Sequence, residues 1–234
     1  MIDTPPVSAP DFARGLPAPR GLFVLLLLYG GMAVLAGFLA FKQVSLGIGG
    51  LAVEAGIFAF LLLVAISSTV AQLYGERTAN RLVWWGFVPL AVSIVLIALV
   101  LALPPSPDMP PANLAAFETV LSQTPRIMAA GPAAYLVSLT LNVWLFSRLR
   151  GSAGGGGEGL AVRGAIASAL SQAIDSLVFI SLAFYGEFPI GDLLIGQIVA
   201  KVVLSVVLVP VLIMLGVALA RRLDGERAAA PTLH

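Results

Sequence analysis

Asp175 and Lys201 each stand inside a stretch that otherwise reads as membrane helix. Asp175 lies in GAIASALSQAIDSLVFISLAF and Lys201 in LLIGQIVAKVVLSVVLVPVLIML. A charge at bilayer depth costs roughly 2.5–3.5 kcal/mol on insertion scales and persists where it faces a protein interior or a watery cavity with a partner. An acid and a base on neighbouring spans therefore point to a polar site inside a membrane bundle. The flanking residues repeat at helical spacing. Ser168, Gln172 and Asp175 share one helix face, as do Ser138 and Asn142, Ser68 and Gln72, and Gln197 and Lys201. Uncharged polar side chains also serve as glue between membrane helices, at about 0.6 kcal/mol each. An ion pair is a costly form of glue, which singles out Asp175, Lys201 and the adjacent Gln172. Phe179, one turn beyond Asp175, is placed to stack on a flat ligand.

Two charged residues stand at span ends. Glu54, in GGLAVEAGIF, lies near the outer end of the second span, where it could reach the interface by snorkelling. Arg126 opens the fourth span at the same level, as an interfacial anchor or as an entrance residue paired with Glu54. The aromatics Tyr29, Tyr74, Trp84, Trp85, Trp144 and Tyr185 fit a belt at the membrane surfaces.

Much other chemistry is excluded. There are no cysteines, and the only histidine is His234, the last residue, so thiolate catalysis, Cys-based metal sites and an internal histidine base are absent. No phosphate-binding loop, HExxH or GxSxG pattern occurs, and GSAGGGGEG lacks the Lys-Ser/Thr a phosphate loop requires. The sequence shows no catalytic residues, metal site or cofactor, and its basic residues form no nucleic-acid-binding pattern.

The elements that must position the polar residues are membrane helices. Of 234 residues, 59% are hydrophobic and 11% charged, against about 25% charged in soluble domains. The mean hydropathy is +1.01. Six apolar stretches are long enough to cross about 30 Å of hydrocarbon. They run Gly21–Phe41, Ile48–Leu73, Leu82–Leu103, Arg126–Phe146, Gly164–Phe184 and Leu193–Ala220. They are continuously apolar and lack the alternation of barrel strands. The fold expected is an all-α membrane protein, six transmembrane helices in one bundle, in contact with the lipid bilayer.

Charge placement orients the bundle. Arg14, Arg20, Arg77, Arg81, Arg148, Arg150, Arg163, Arg221, Arg222 and Arg227 fall on one side, ten of the 13 basic residues. The other side holds Lys42, Asp108, Glu118, Glu187 and Asp192, with Arg126 at its edge. The positive-inside rule then places both termini in the cytoplasm. Residues 1–20 form a proline-rich cytoplasmic arm with no signal-peptide pattern, 21–222 the six-helix domain and 223–234 a cytoplasmic tail. The outer loop PPSPDMPPANLAAFETVLSQTP is expected to end in a short interfacial helix, and GSAGGGGEG to be a flexible linker. Residues 134–146 also align without gaps on 167–179, setting Asn142 against Asp175. Such a repeat in oppositely directed spans is a device of transporters, although two small-residue-rich spans can also match by chance.

Three segments carry a family resemblance. ISSTVAQLYGERTANRLVWWGF, PRIMAAGPAAYLVSLTLNVWLFSRLR and SALSQAIDSLVFISLAFYG resemble, in that order, the queuosine precursor transporter family, also called the vitamin uptake transporter family. The resemblance runs from about residue 50 to Arg222. It implies a six-span bacterial inner-membrane importer of a small planar solute, a 7-deazaguanine base such as the 7-cyano or 7-aminomethyl compound. Carried over by position, the substrate site comprises Arg126, Asn142, Gln172, Asp175 and Lys201. Ser68, Gln72 and Phe179 join it as further lining residues. The chain departs from the family at Ser68, where an aspartate is usual, and at Leu139 and Asn142, where Gln and Asp are usual. In this reading Asp175 accepts the ring N–H and amino group of the base, Gln172 and Asn142 meet its remaining edge, and Lys201 keeps Asp175 ionised. Two other readings stay open: a substrate-binding subunit of an ATPase-driven vitamin importer, and a non-transport membrane scaffold. An assembly of several copies is compatible with either.

Overall fold

Glycine and proline divide the apolar chain into its elements. The computed structural model describes residues 19–47, 49–151 and 157–225; for 138–151, 157–169 and 171 it describes the backbone alone. Six helices follow in order: α1 (Arg20–Leu39), α2 (Gly56–Tyr74), α3 (Glu76–Ala102), α4 (Pro111–Gly151), α5 (Gly157–Phe184) and α6 (Gly191–Asp224). Between α1 and α2 lies an antiparallel hairpin of β1 (Gln43–Ser45) and β2 (Ala52–Glu54), pairing Gln43 with Glu54, Val44 with Val53 and Ser45 with Ala52. Gly75, at φ +88°, separates α2 from α3 in one residue. An L side chain rarely adopts that conformation. Glu76 then places negative charge in the first turn of α3, where the helix dipole favours it.

The hairpin differs from the single span expected over Ile48–Leu73. Gly47, Gly49 and Gly50 all have positive φ, and this run of left-handed positions turns the chain instead of continuing a helix. The β-branched Val44 and Val53 face each other across the ladder, where such residues pack well. The remaining helix, α2, has 19 residues, about 28 Å at 1.5 Å each, still enough to cross. Pro111 opens α4, where its missing N–H costs nothing. A helix begins where a short one was expected, but it runs on without a break through Gly151, giving α4 41 residues. The glycine run is also partly helical, since α5 begins at Gly157.

α2 packs against α1, α3 and α6, while α4 lies along α5 and also touches α1 and α3. Hydrophobic clusters hold the two ends. Leu25, Tyr29, Ile66, Val70, Leu82 and Ala220 pack at one, and Ala40, Ile127, Ile180, Phe184 and Leu193 at the other. Large apolar side chains such as Leu27, Val95, Leu99, Val206 and Leu215 face outward and exposed, as lipid-facing residues do. Among the described residues α1, α2, α3 and α6 are long and apolar enough to cross a membrane. The protein is an all-α, multi-pass membrane protein.

The start of α1 and the end of α6 meet. Asp224, at the end of α6, accepts from the Gly21 N–H (2.6 Å) and from the Tyr74 hydroxyl (2.6 Å). The first turn of α1 and the last turns of α2 and α6 are thus joined. The hairpin, Arg126 and Glu187 lie at the opposite ends of their helices.

Candidate functional site

The hairpin carries an acid into the bundle. β2 ends at Glu54, which is 3% exposed and does not reach the interface as the sequence suggested. Gln197 of α6 holds it at two points: its Nε2 donates to Glu54 Oε1 (2.6 Å), and its Oε1 accepts from the Glu54 N–H (3.3 Å). Gly196 makes this approach possible, because a Cβ there would run into the Ala52 backbone carbonyl. Non-helical backbone at membrane depth requires such burial in protein.

One turn further along α6, Lys201 donates from Nζ to Asp175 Oδ2 on α5 (2.5 Å). Lys201 is 4% exposed and Asp175 8%. The Lys201 ammonium also lies 4.8 Å from the centroid of the Phe60 ring on α2, within cation–π range. Glu54 feels the same ammonium electrostatically. Gln197 and Lys201, four residues apart on one α6 face, therefore serve two acids from two other elements.

These groups line a cavity of about 210 Å³ between the helices. Every helix and the hairpin contribute: Tyr29 from α1, Glu54 from β2, Phe60 and Ser67 from α2, Gly86 and Phe87 from α3, Met128 and Tyr135 from α4, Asp175 and Phe179 from α5, and Lys201 from α6. Sites for drug-sized ligands run about 300–1,000 Å³, mostly apolar with a few polar groups. This cavity has that character at a smaller size, suited to a solute of one or two rings. Phe87 meets Tyr135 edge to face at 6.0 Å, and Phe179 meets Phe184 likewise at 6.2 Å. Gly86 leaves room for the Tyr29 ring, which a Cβ would overlap.

Of the residues expected at the site, Asp175, Lys201 and Phe179 lie on the cavity wall. Gln172 is half-buried on α5 and is not among the lining residues. On α2 the cavity meets Ser67 instead of Ser68, whose side chain points one helical step away. Gln72 is exposed and lines a separate depression with Pro210, Met214 and Arg221 of α6. Asn142 belongs to α4, but its side chain lies outside the described residues. Arg126 stands away from the cavity and does not pair with Glu54. It donates to Glu187 (3.2 Å) and to the carbonyls of Leu182 and Tyr185 (2.7 Å each), clamping α4 onto the end of α5.

The sequence reading missed Phe60, Ser67 and Tyr135 as lining residues, and placed Tyr29 and Tyr74 in the surface belt. Tyr29 is instead buried on the cavity wall, and Tyr74 is tied to Asp224. Trp84, Trp85 and Tyr185 are exposed, as belt residues are. The signal for Glu54 was present: a third acid in apolar sequence, preceded by a glycine turn that ends the helical reading.

Comparison with known proteins agrees with this architecture. Residues 54–215 match the family model described as "Putative vitamin uptake transporter". A protein of Bacillus subtilis (strain 168) described as "Probable queuosine precursor transporter" is 29% identical over 170 residues, covering 72% of this chain and 70% of its own length. No solved structure matches the chain. The family match begins at Glu54 and takes in Phe60, Asp175, Gln197 and Lys201. With a mostly apolar cavity that holds an ion pair between its helices, and most of its length inside the family match, this chain belongs to the putative vitamin uptake transporter family of membrane transport proteins.

Proposed function

We propose that this protein spans the bacterial inner membrane six times, with both termini in the cytoplasm, and imports a 7-deazaguanine base used as a queuosine precursor. One observation carries the reading: a buried Asp175–Lys201 ion pair on the wall of an otherwise apolar cavity. Such a pair is a poor source of stability in an apolar interior, and intramembrane ionisable residues mark solute pathways. The name of the Bacillus subtilis relative supports the choice of solute.

In this account the base enters the cavity with its flat faces against Phe179, Phe60 and the Phe87–Tyr135 pair. Asp175 Oδ2 is held by Lys201, while its second oxygen makes no hydrogen bond among the described residues and is placed to take the ring N–H and amino group together. The site opens alternately to the two membrane faces, as in transporters with binding sites near the midplane. On the inner face the Asp224 contacts to α1 and α2 must loosen for release. No covalent step is required.

The test is thermal stabilisation of the detergent-purified protein by purines and deazaguanines. A ligand at 100 times its dissociation constant contributes about 2.7 kcal/mol. Stabilisation by a 7-deazaguanine, absent in Asp175→Asn of unchanged folded yield, is the expected result. A response to another base alone would replace the solute, and no response to any would remove the proposal.

A further inference from the structure

Three charged side chains line the cavity among the described residues: Glu54, Asp175 and Lys201. With all three ionised, the wall carries one negative charge in excess. Lys201 spends its short contact on Asp175, and Glu54 keeps only the more distant attraction to it.

The geometry around Glu54 isolates one atom. Oε1 is held by the Gln197 amide. Oε2 is fully buried beside Gly56 and has no hydrogen-bond partner among the described residues. The Gly56 and Ile57 amides at the start of α2 lie near the carboxylate, yet neither bonds to Oε2. Gly56 itself lines the cavity; a Cβ there would stand 2.5 Å from Oε2, so the missing side chain leaves that oxygen its space. A buried acceptor without a partner loses the full desolvation penalty of the group, and charged ones lose most. The Gln197 clamp nevertheless fixes Glu54 in this position, beside the cavity.

We infer that Glu54 is a solute-binding residue whose free oxygen takes a cationic amine of the solute, so that the cavity selects a planar base bearing a protonated primary amine over its neutral counterpart. The inference rests on the proposed function and narrows its solute class. Entry of such a base brings the wall to charge balance and supplies Oε2 with a charge-assisted donor, the strong class of hydrogen bond. A neutral base does neither. The ring then lies between the aromatic side chains, with its N–H edge at Asp175 and its amine at Glu54. The competing arrangement is a proton resident on Glu54. It also balances the wall, and under it the charge of the solute makes no difference.

The experiment compares two bases of one ring system, 7-aminomethyl-7-deazaguanine and 7-cyano-7-deazaguanine, by calorimetric titration of the full-length purified protein. The wild type should bind the aminomethyl base at least tenfold more tightly. In Glu54→Gln, whose amide can still pair with Gln197, affinity for the aminomethyl base should fall at least tenfold and the ratio between the two bases should approach one. Equal affinities in the wild type overturn the inference, as does a variant that keeps the wild-type ratio. Should Glu54→Gln not fold, the wild-type ratio alone decides. If neither base binds the wild type, the proposed solute fails first. The inference is then read from aminomethyl- and methyl-substituted purines and indoles, and is overturned if the aminomethyl members have no advantage or if none binds.

Discussion

Removing Lys201 alone should damage the fold more than removing it together with its partner. Lys201 and Asp175 are 4% and 8% exposed and in direct contact. Lys201→Met leaves Asp175 buried without its counter-charge and takes from Glu54 a cation that attracts it. Breaking a buried pair from one side costs about 3–5 kcal/mol. At about 2–4 °C per kcal/mol for a chain of this size, the melting temperature should drop by roughly 6–20 °C. Asp175→Asn added to Lys201→Met removes the stranded charge, so the double variant should melt above the Lys201→Met single variant. Glu54 stays uncompensated, which keeps recovery short of the wild type. The assay is thermal unfolding of the purified protein followed by the fluorescence of its three tryptophans. A double variant whose loss equals the sum of the singles within about 0.5 kcal/mol would refute the reasoning, because the pair would then carry no coupling.

Other substitutions test separate parts of the account. Gly196→Ala sets a methyl group against the Ala52 carbonyl; overpacking of this kind costs about 1–3 kcal/mol, and the variant should also lose solute affinity because it pushes Gln197 away from Glu54. Phe60→Leu removes the ring beside the Lys201 ammonium and should lower stability by about 0.5–2 kcal/mol, read as a melting shift. Arg126→Ala should cost about 1 kcal/mol or less, since its pair with Glu187 is exposed, and should leave the solute dissociation constant within twofold of the wild type by calorimetry. Tyr74→Phe loses a hydrogen bond to a carboxylate, about 1.5–3 kcal/mol, and by loosening that end of the bundle should speed solute release in stopped-flow experiments.

The ion pair was legible in the sequence because a membrane core tolerates so few charges. Asp175 and Lys201 on neighbouring spans had few alternatives to meeting, and in the structure they do. The helical membrane character was legible for the same reason, through long apolar runs between charged loops, and four of the helices are long and apolar enough to cross a membrane. Where physics is locally degenerate, the sequence said less. Ser67 and Ser68 differ by 100° around α2, and no pattern in that helix indicates which of them faces the cavity. Glu54 was read as lying at a helix end because hydropathy alone cannot separate a buried hairpin from a span. The three glycines that turn the chain there act through φ, which composition does not record. Tyr29 owes its inward position to Gly86 on another helix, a tertiary relation invisible to local patterning. Arg126 had more than one partner in reach, and Glu187 with two backbone carbonyls, close by at the end of α5, satisfied its donors better than Glu54 in the bundle interior.

The central claim is that solute crosses the membrane through the cavity that Asp175 and Lys201 line. The most direct measurement is uptake of labelled 7-aminomethyl-7-deazaguanine into proteoliposomes holding the wild type, or the Asp175→Asn, Lys201→Met double variant at matched amounts of folded protein. The account predicts saturable uptake by the wild type and none above empty liposomes by the double variant. Undiminished uptake by a folded double variant would contradict it.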